Sequence, residues 1–314
     1  MEEVNKKILI TGGAGFIGSH LCKALIGKNQ CVICLDNLYS GSMQNIKDLL
    51  NNPNFTFIEH DIVDPIQLTD IKEIYNLACP ASPVSYQLNP INTIKTCTAG
   101  VVNMLELAKS NKAKILQAST SEIYGDPLVH PQDEEYYGNV NTTGLRSCYD
   151  EGKRCAETLF SDYKRVYNLD SKIVRIFNTY GPNMMINDGR VISNFIVQSL
   201  LEKNLTINGN GSQSRSFMYV DDLIDGLISV MSLDKYLGPI NIGNPEEISI
   251  KNLAFEILSI SNSSSGLIYN NLPEDDPKRR KPDIGKIQNE ISWRPKISLK
   301  EGLVKTIDYF KNNL

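Results

Sequence analysis

Tyr149 and Lys153 stand four residues apart in the stretch SCYDEGKRCAE (147–157). On a helix that spacing puts a phenol and an ammonium on one face. A phenol with a reference pKa of about 10 is a poor base at neutral pH. An ammonium beside it stabilises the phenolate and is expected to lower that pKa, and a second cation nearby would add to the effect. Such a pair can take the proton from a substrate hydroxyl. Some thirty residues upstream, STSEIYG (119–125) places Ser119, Thr120, Ser121 and Glu122 directly behind the apolar run KILQA. Hydroxyls and a carboxylate at the carboxyl end of a strand are either a polar turn or the floor of an active site.

A second group of residues suits a nucleotide cofactor. In ITGGAGFIGSH (10–20), Gly12, Gly15 and Gly18 follow an apolar run at intervals of three. Glycines there permit a tight turn, close approach of backbone to a pyrophosphate, and packing of helix on sheet. The helix N-terminus adds free N–H groups and a positive dipole end. The next apolar run ends at Asp36, where a carboxylate can bind both adenosine ribose hydroxyls. It would repel a 2′-phosphate, so NAD is expected over NADP. Asp61, in HDI (60–62), ends a third run at the same edge and is expected near the adenine amino group.

These residues need a scaffold, and the first half of the chain supplies one. Near-continuous apolar runs at 6–11, 31–36, 55–60, 73–78, 114–119 and 172–177 alternate with helical patterns at 15–28, 91–110 and 149–168. Runs of that kind fit a parallel sheet buried on both faces, so the expected fold class is α/β, a doubly wound parallel sheet (Rossmann) binding ligands at its strand ends. Beyond Gly181 the pattern loosens. Helices are expected near 190–203, 221–232, 249–260 and 299–313, with strands at 204–208 and 239–243, and SLKE (298–301) is a capping box. We read residues 1–180 as the NAD-binding domain. Residues 181–314 form mainly a smaller α/β substrate domain, with segments partly rejoining the first.

Bulk properties exclude several classes. The 314 residues are 41% hydrophobic and 22% charged, with a net charge of −4. No basic block suggests nucleic acid or an anionic membrane, and no apolar run approaches the ~20 residues of a membrane span. MEEVNKKILI (1–10) does not read as a secretory signal. Seven cysteines without framework spacing fit reduced thiols in the cytoplasm. CVIC (31–34) is the only close pair, and with three histidines in the chain a metal site is not expected.

Taken together, TGGAGFIGSH, STSEIYG, Tyr149-x-x-x-Lys153 and RIFNTYGP resemble the extended branch of the short-chain dehydrogenase/reductase family, whose members act on nucleotide sugars. The likeness runs nearly end to end. NLACPASPVSYQLNPI, GDPLVHPQ, NVNTTGLRSCYDEGKR, DGRVISNF, NIGNPEE and DDPKRRKPDI are similar to segments of the UDP-glucuronate decarboxylases (UDP-xylose synthases) within that branch. The resemblance implies bound NAD, a UDP-sugar substrate, and a homodimer built on the helix carrying Tyr149 and its neighbour. Expected cofactor contacts are Gly12, Gly15, Phe16, Ile17, Gly18, Asp36, Asn37, Asp61, Ile62, Leu77, Ala78, Thr96, Tyr149 and Lys153. Thr120 is implied at the sugar C4 oxygen, and Ser121, Asn178, Arg190 and Arg215 on the substrate. Among Lys278, Arg279, Arg280 and Lys281, the RKP ending aligns Arg280 with the arginine that reaches the sugar, with Arg279 as the alternative.

Glu122 separates the relatives. The 4,6-dehydratases of this branch carry Asp-Glu here, the aspartate serving as the acid for a departing hydroxyl. This chain has Ser121-Glu122, which leaves no such acid, and loss of carbon dioxide needs none. The expected reaction is NAD-dependent decarboxylation through a 4-keto sugar with internal return of the hydride. The alternatives are release of the 4-keto pentose with NADH, a 4-epimerase or 4,6-dehydratase, and a silent NAD-binding sensor or scaffold. Cys97, where asparagine is expected, and NTTG (141–144), where Asn-Pro is expected, depart from close relatives, and no N-terminal membrane anchor of the kind some relatives have is expected.

Overall fold

Six of the apolar runs become strands of one sheet: β1 (Lys7–Thr11), β2 (Val32–Asp36), β3 (Phe55–Glu59), β4 (Ile71–Asn76), β5 (Lys114–Thr120) and β6 (Ser171–Ile176). A computed structural model describes residues 6–234, 238–271 and 279–314. All neighbours in the sheet are parallel, and a seventh strand, Pro239–Ile242, joins beside β6. The spatial order is β3, β2, β1, β4, β5, β6, then Pro239–Ile242. The order reverses between β1 and β4, the crevice where such sheets bind ligands. Registers Thr11 with Asn76 and Thr120 with Ile176 bring polar strand ends to that edge.

Helices cover both faces, as the unbroken burial of β2 requires. On one face α1 (Phe16–Gly27) and the helix Val220–Met231 pack over residues such as Ile10, Val174 and Ile240. On the other, the helices Val101–Asn111 and Ser147–Tyr167 bury Met104, Leu105 and Phe160 against Leu9, Ile74 and Ile115. Residues beyond 181 contribute to the first of these cores through Val220, Leu227 and Ile242. The second half therefore shares a core with the first.

The structure corrects the sequence reading in two places. The helix expected over 91–110 is divided into Pro90–Lys95, a π-helical turn Thr96–Gly100, and Val101–Asn111. Thr96 and Thr98 donate their hydroxyls back to the carbonyls of Asn92 and Ile94, which competes with the regular ladder. The turn also lies in close contact with the neighbouring helix, where a Cβ on Gly152 would come within 2.9 Å of that of Cys97. In the second half, short strands occur that had no periodic signal. Ser214–Ser216 pairs antiparallel with Glu247–Ser249 and parallel with Arg279–Arg280, and the last register sets Arg280 beside Arg215. Lys278 and most of the basic loop's approach lie outside the described residues. The same holds for the first five residues of the N-terminal stretch. Half of the expected capping box is seen, Ser298 accepting from the Glu301 N–H at 3.2 Å, while the Glu301 carboxylate pairs with Lys305.

Candidate active site

The strand ends open into a cleft of about 710 Å³, lined by every one of the site residues expected from sequence. At one end β1 turns sharply into α1. Gly12 has φ of +67°, and a Cβ there would stand 3.0 Å from the Ala78 backbone. A Cβ on Gly18 would come 2.1 Å from the Gly12 carbonyl oxygen. Gly15 caps α1 without a side-chain bond, so the first-turn N–H groups are not blocked. Beside this cradle Asp36 is buried, accepting from the N–H groups of Ala14 (3.0 Å) and Leu38 (2.8 Å). Burial raises its pKa, against those backbone bonds. Asn37 donates to Asp61 at 2.8 Å, which ties the ends of β2 and β3 together. A glycine cradle followed by a fixed carboxylate fits a dinucleotide with a free ribose 2′-hydroxyl.

Across the cleft, Tyr149 and Lys153 point from the start of Ser147–Tyr167 towards the end of β5. Lys153 Nζ donates to the Ala118 carbonyl at 2.7 Å and lies 5.8 Å from the Tyr149 ring centre. Tyr149 stacks on Tyr86, with ring centres 5.1 Å apart and planes 9° from parallel. The expectation that the lysine lowers the phenol's pKa does not hold in this structure. Burial pushes Tyr149 well above its ordinary value, with Cys79 adding to the rise and a hydrogen bond with Thr120 opposing it. The ammonium is engaged with the Ala118 carbonyl rather than with the phenol oxygen.

Glu122 lies in the 3-10 turn Ser121–Tyr124, whose N-cap Thr120 accepts from the Glu122 N–H at 3.2 Å. Its carboxylate receives Arg146 and Arg280, the latter at 3.3 Å. Arg280 is only 1% exposed and also donates to the carbonyls of Ser121 and Gly125. Burial alone would raise the Glu122 pKa, but Arg280, Arg146 and Arg215 together hold it below the ordinary range. Of the two loop arginines, Arg280 lines the cleft and Arg279 does not. Arg279 is 58% exposed and turns to Glu247, outside the cleft.

The comparisons with known proteins agree with this geometry. A family model described as GDP-mannose 4,6 dehydratase matches residues 9–306. UDP-glucuronic acid decarboxylase 1 of Arabidopsis thaliana is 50% identical over 98% of this chain and 70% of its own length. The chain belongs to that family and to its UDP-glucuronic acid decarboxylase branch. Among solved structures, the UDP-glucuronic acid 4-epimerase of Bacillus cereus, in complex with UDP-glucuronic acid and NAD, is 30% identical with a TM-score of 0.88. That likeness covers 98% of this chain and all of the other. The UDP-N-acetylglucosamine 4-epimerase of Methanobrevibacter ruminantium M1, in complex with UDP-N-acetylmuramic acid, is 29% identical, with a TM-score of 0.92 over 99% of both chains.

Within the family's fold, the remaining expected residues fall along the cleft. Leu77, Ala78, Ile62 and Thr96 line the cleft. Asn178 follows β6, and Arg190 forms a two-point ion pair with Asp188 while standing 5.6 Å from the Phe16 ring centre. Arg215 extends from its short strand beside Arg280. Sequence reasoning missed Tyr86, Arg146, Asp150 and Asp188. Arg146 and Asp150 had a readable signal, an i, i+4 pair flanking Tyr149. Tyr86 had none, because only the folded chain stacks it on the helix that carries Tyr149. Its hydroxyl is buried in the cleft wall without a partner among the described residues. Cys97 lies behind the wall, its sulfur 3.3 Å from that of Cys79. No helix among the described residues is long and apolar enough to cross a membrane, and no group of them could hold a metal ion.

Proposed function

We propose that this protein decarboxylates UDP-glucuronate to UDP-xylose, using NAD that is regenerated within each turnover. The observation that carries the reading is Glu122 held ionised under Arg280 and Arg146, with Ser121 rather than a carboxylic acid beside it. Bound NAD supplies the acceptor, and later the donor, of the hydride at sugar C4. Tyr149 takes the proton of the C4 hydroxyl, and Thr120 bonds the same oxygen. Once C4 is a ketone, the C6 carboxylate is β to it. The C5–C6 electron pair then flows towards the C4 oxygen as carbon dioxide leaves, and the Tyr149 and Thr120 donors stabilise the charge that develops there. Arg280 sits at the carboxylate end of the sugar, while Arg190, Arg215 and Asn178 hold the diphosphate and ribose, guanidinium being matched to phosphate geometry. Asp36 binds the adenosine ribose and selects NAD over NADP, and Asp61 meets the adenine.

The experiment is product analysis by NMR with UDP-glucuronate, NAD and D₂O. The expected product is UDP-xylose with a single deuterium at C5, none at C4, and no net NADH. UDP-galacturonate would make the protein a 4-epimerase, and 4-keto pentose with NADH would mean the hydride is not returned. Residues 1–180 serve mainly the cofactor and 181–314 mainly the sugar nucleotide. The protein acts as a homodimer in a reducing, cytoplasmic compartment. Its cysteines are all free, the Cys79 and Cys97 sulfurs included.

A further inference from the structure

The overall reaction consumes a proton. UDP-glucuronate loses carbon dioxide from C5, and C5 must gain a proton from solvent in its place. Glu122 is a poor source, because Arg280 and Arg146 keep its carboxylate ionised. Tyr149 is committed to the C4 oxygen. Behind Glu122 lies a second cavity of about 200 Å³, and Glu122 lines both spaces. The outer lining of the second cavity is exposed, at Asp126, Asn139 and Asn141. Its inner lining is Glu122, Arg146 and the buried Asp150. A polar space of that size holds several waters at about 30 Å³ each.

Asp150 has no part in the mechanism above, yet it neighbours Tyr149 in sequence and is only 6% exposed. Its Oδ1 is buried and meets no donor among the described residues, while Oδ2 lies 3.7 Å from Arg146 Nε. An unpartnered buried carboxyl oxygen is costly when charged and acceptable when it carries a proton. We propose that Asp150 and this cavity form the proton entry of the active site, Asp150 holding the proton that reaches C5 through water bound against Glu122. The enolate takes up that proton at C5 through its C4–C5 π pair, the C4 carbonyl reforms, and the Asp150 carboxylate is reprotonated from solvent through the outer rim. Asp150 acts through water and Glu122, so it is a positioning and relay residue.

Burial first, and then neighbouring charge, lets Asp150 keep a proton up to near neutral pH. Burial pushes the Asp150 carboxyl up to about 7, with Glu122 and Glu151 adding to the rise and Arg146 and Arg280 opposing it. Tyr86 and Cys148 also face this region, and Asp126 stands across the cavity. A donor with that pKa is present at low pH and is lost as pH rises through about 7.

The inference rests on the decarboxylase reading, and its test separates the two. Wild type, Asp150→Asn and Asp150→Glu are assayed with UDP-glucuronate and NAD for carbon dioxide release, pH dependence of kcat, solvent isotope effect and reduced cofactor. Wild type is expected to lose kcat as pH rises through about 7. Asp150→Asn should lower kcat by ~10²-fold or more, the scale of a lost acid–base group. It should also remove the limb near neutrality, raise the solvent isotope effect and accumulate reduced cofactor, with KM for UDP-glucuronate nearly unchanged. Asp150→Glu should restore much of the rate. Wild-type kcat and pH profile in Asp150→Asn would overturn the relay. So would equal losses in both variants through KM alone, which would mark a packing role. If neither variant folds, a wild-type profile without that limb overturns it. Wild type that releases no carbon dioxide instead defeats the decarboxylase reading, and the relay with it.

Discussion

Glu122 and Tyr149 line one cleft, yet their environments shift their pKa values in opposite directions. Arg280, Arg146 and Arg215 overcome burial at Glu122, whereas burial prevails at Tyr149. Tyr149→Phe keeps the ring and its stacking on Tyr86 but removes the hydroxyl proposed to take the C4 proton. It should retain NAD binding and lose ~10²–10⁴-fold in kcat, measured with UDP-glucuronate. Glu122 also has a stability signature. Its folded pKa is depressed, so its contribution is present above the ordinary glutamate pKa of ~4.3 and fades as pH falls through the lower folded value. The gap in melting temperature between wild type and Glu122→Gln should therefore be widest near neutrality and narrow below about pH 4. A gap independent of pH would show that the ion pairs do not stabilise the fold. Asp36 makes a third residue-scale prediction. Calorimetry should find NAD bound at least about tenfold more tightly than NADP, because a 2′-phosphate would face a buried carboxylate.

At the scale of elements, the site depends on how closely α1 crosses the loop that precedes it. A methyl group on Gly18 would overlap the Gly12 carbonyl, 2.1 Å away, and the Gly13 Cα at 2.7 Å. Both obstacles are backbone and cannot rotate aside. Gly18→Ala should therefore displace the N-terminus of α1 and weaken NAD binding by more than ~10-fold, even if the sheet stays folded. Equilibrium dialysis of the variant checks this. The π-helical turn Thr96–Gly100 is a second such device. It sets Thr96 in the cleft and lets Gly152 approach Cys97, bringing two helices together beside the cofactor wall.

The whole molecule presents apolar side chains that its own core does not use. Leu88 is 78% exposed, Ile91 65% and Val166 70%. Ile91 and Val166 belong to the stretch 91–110 and the helix Ser147–Tyr167, the pair from which a two-fold helical interface is expected, and Leu88 ends the short helix just before it. Light scattering at micromolar concentration should give the mass of two chains. Ile91→Asp should shift it towards one chain while the monomer's own core is untouched. A wild-type mass of 35.1 kDa would overturn the homodimer.

Elements with a strong periodic signal were legible in advance, because a buried parallel strand must be apolar throughout and a glycine-rich turn has few other uses. That covers β1 to β6, the cradle at Gly12 and Gly18, and the Tyr149–Lys153 pair. The short strands Ser214–Ser216 and Arg279–Arg280 were not legible. Two or three residues carry no period, and their pairing comes from segments more than sixty positions apart. The choice of Arg280 over Arg279 depends on the same pairing, since neighbours on a strand face opposite ways. Sequence also indicated that Tyr149 and Glu122 share one site. It did not indicate their protonation, because a pKa depends on burial and on charges brought near by folding. Arg146, Arg215 and Arg280 come from three separate segments and meet at Glu122 only in the folded chain, which also aligns Asp150 with the cavity behind it.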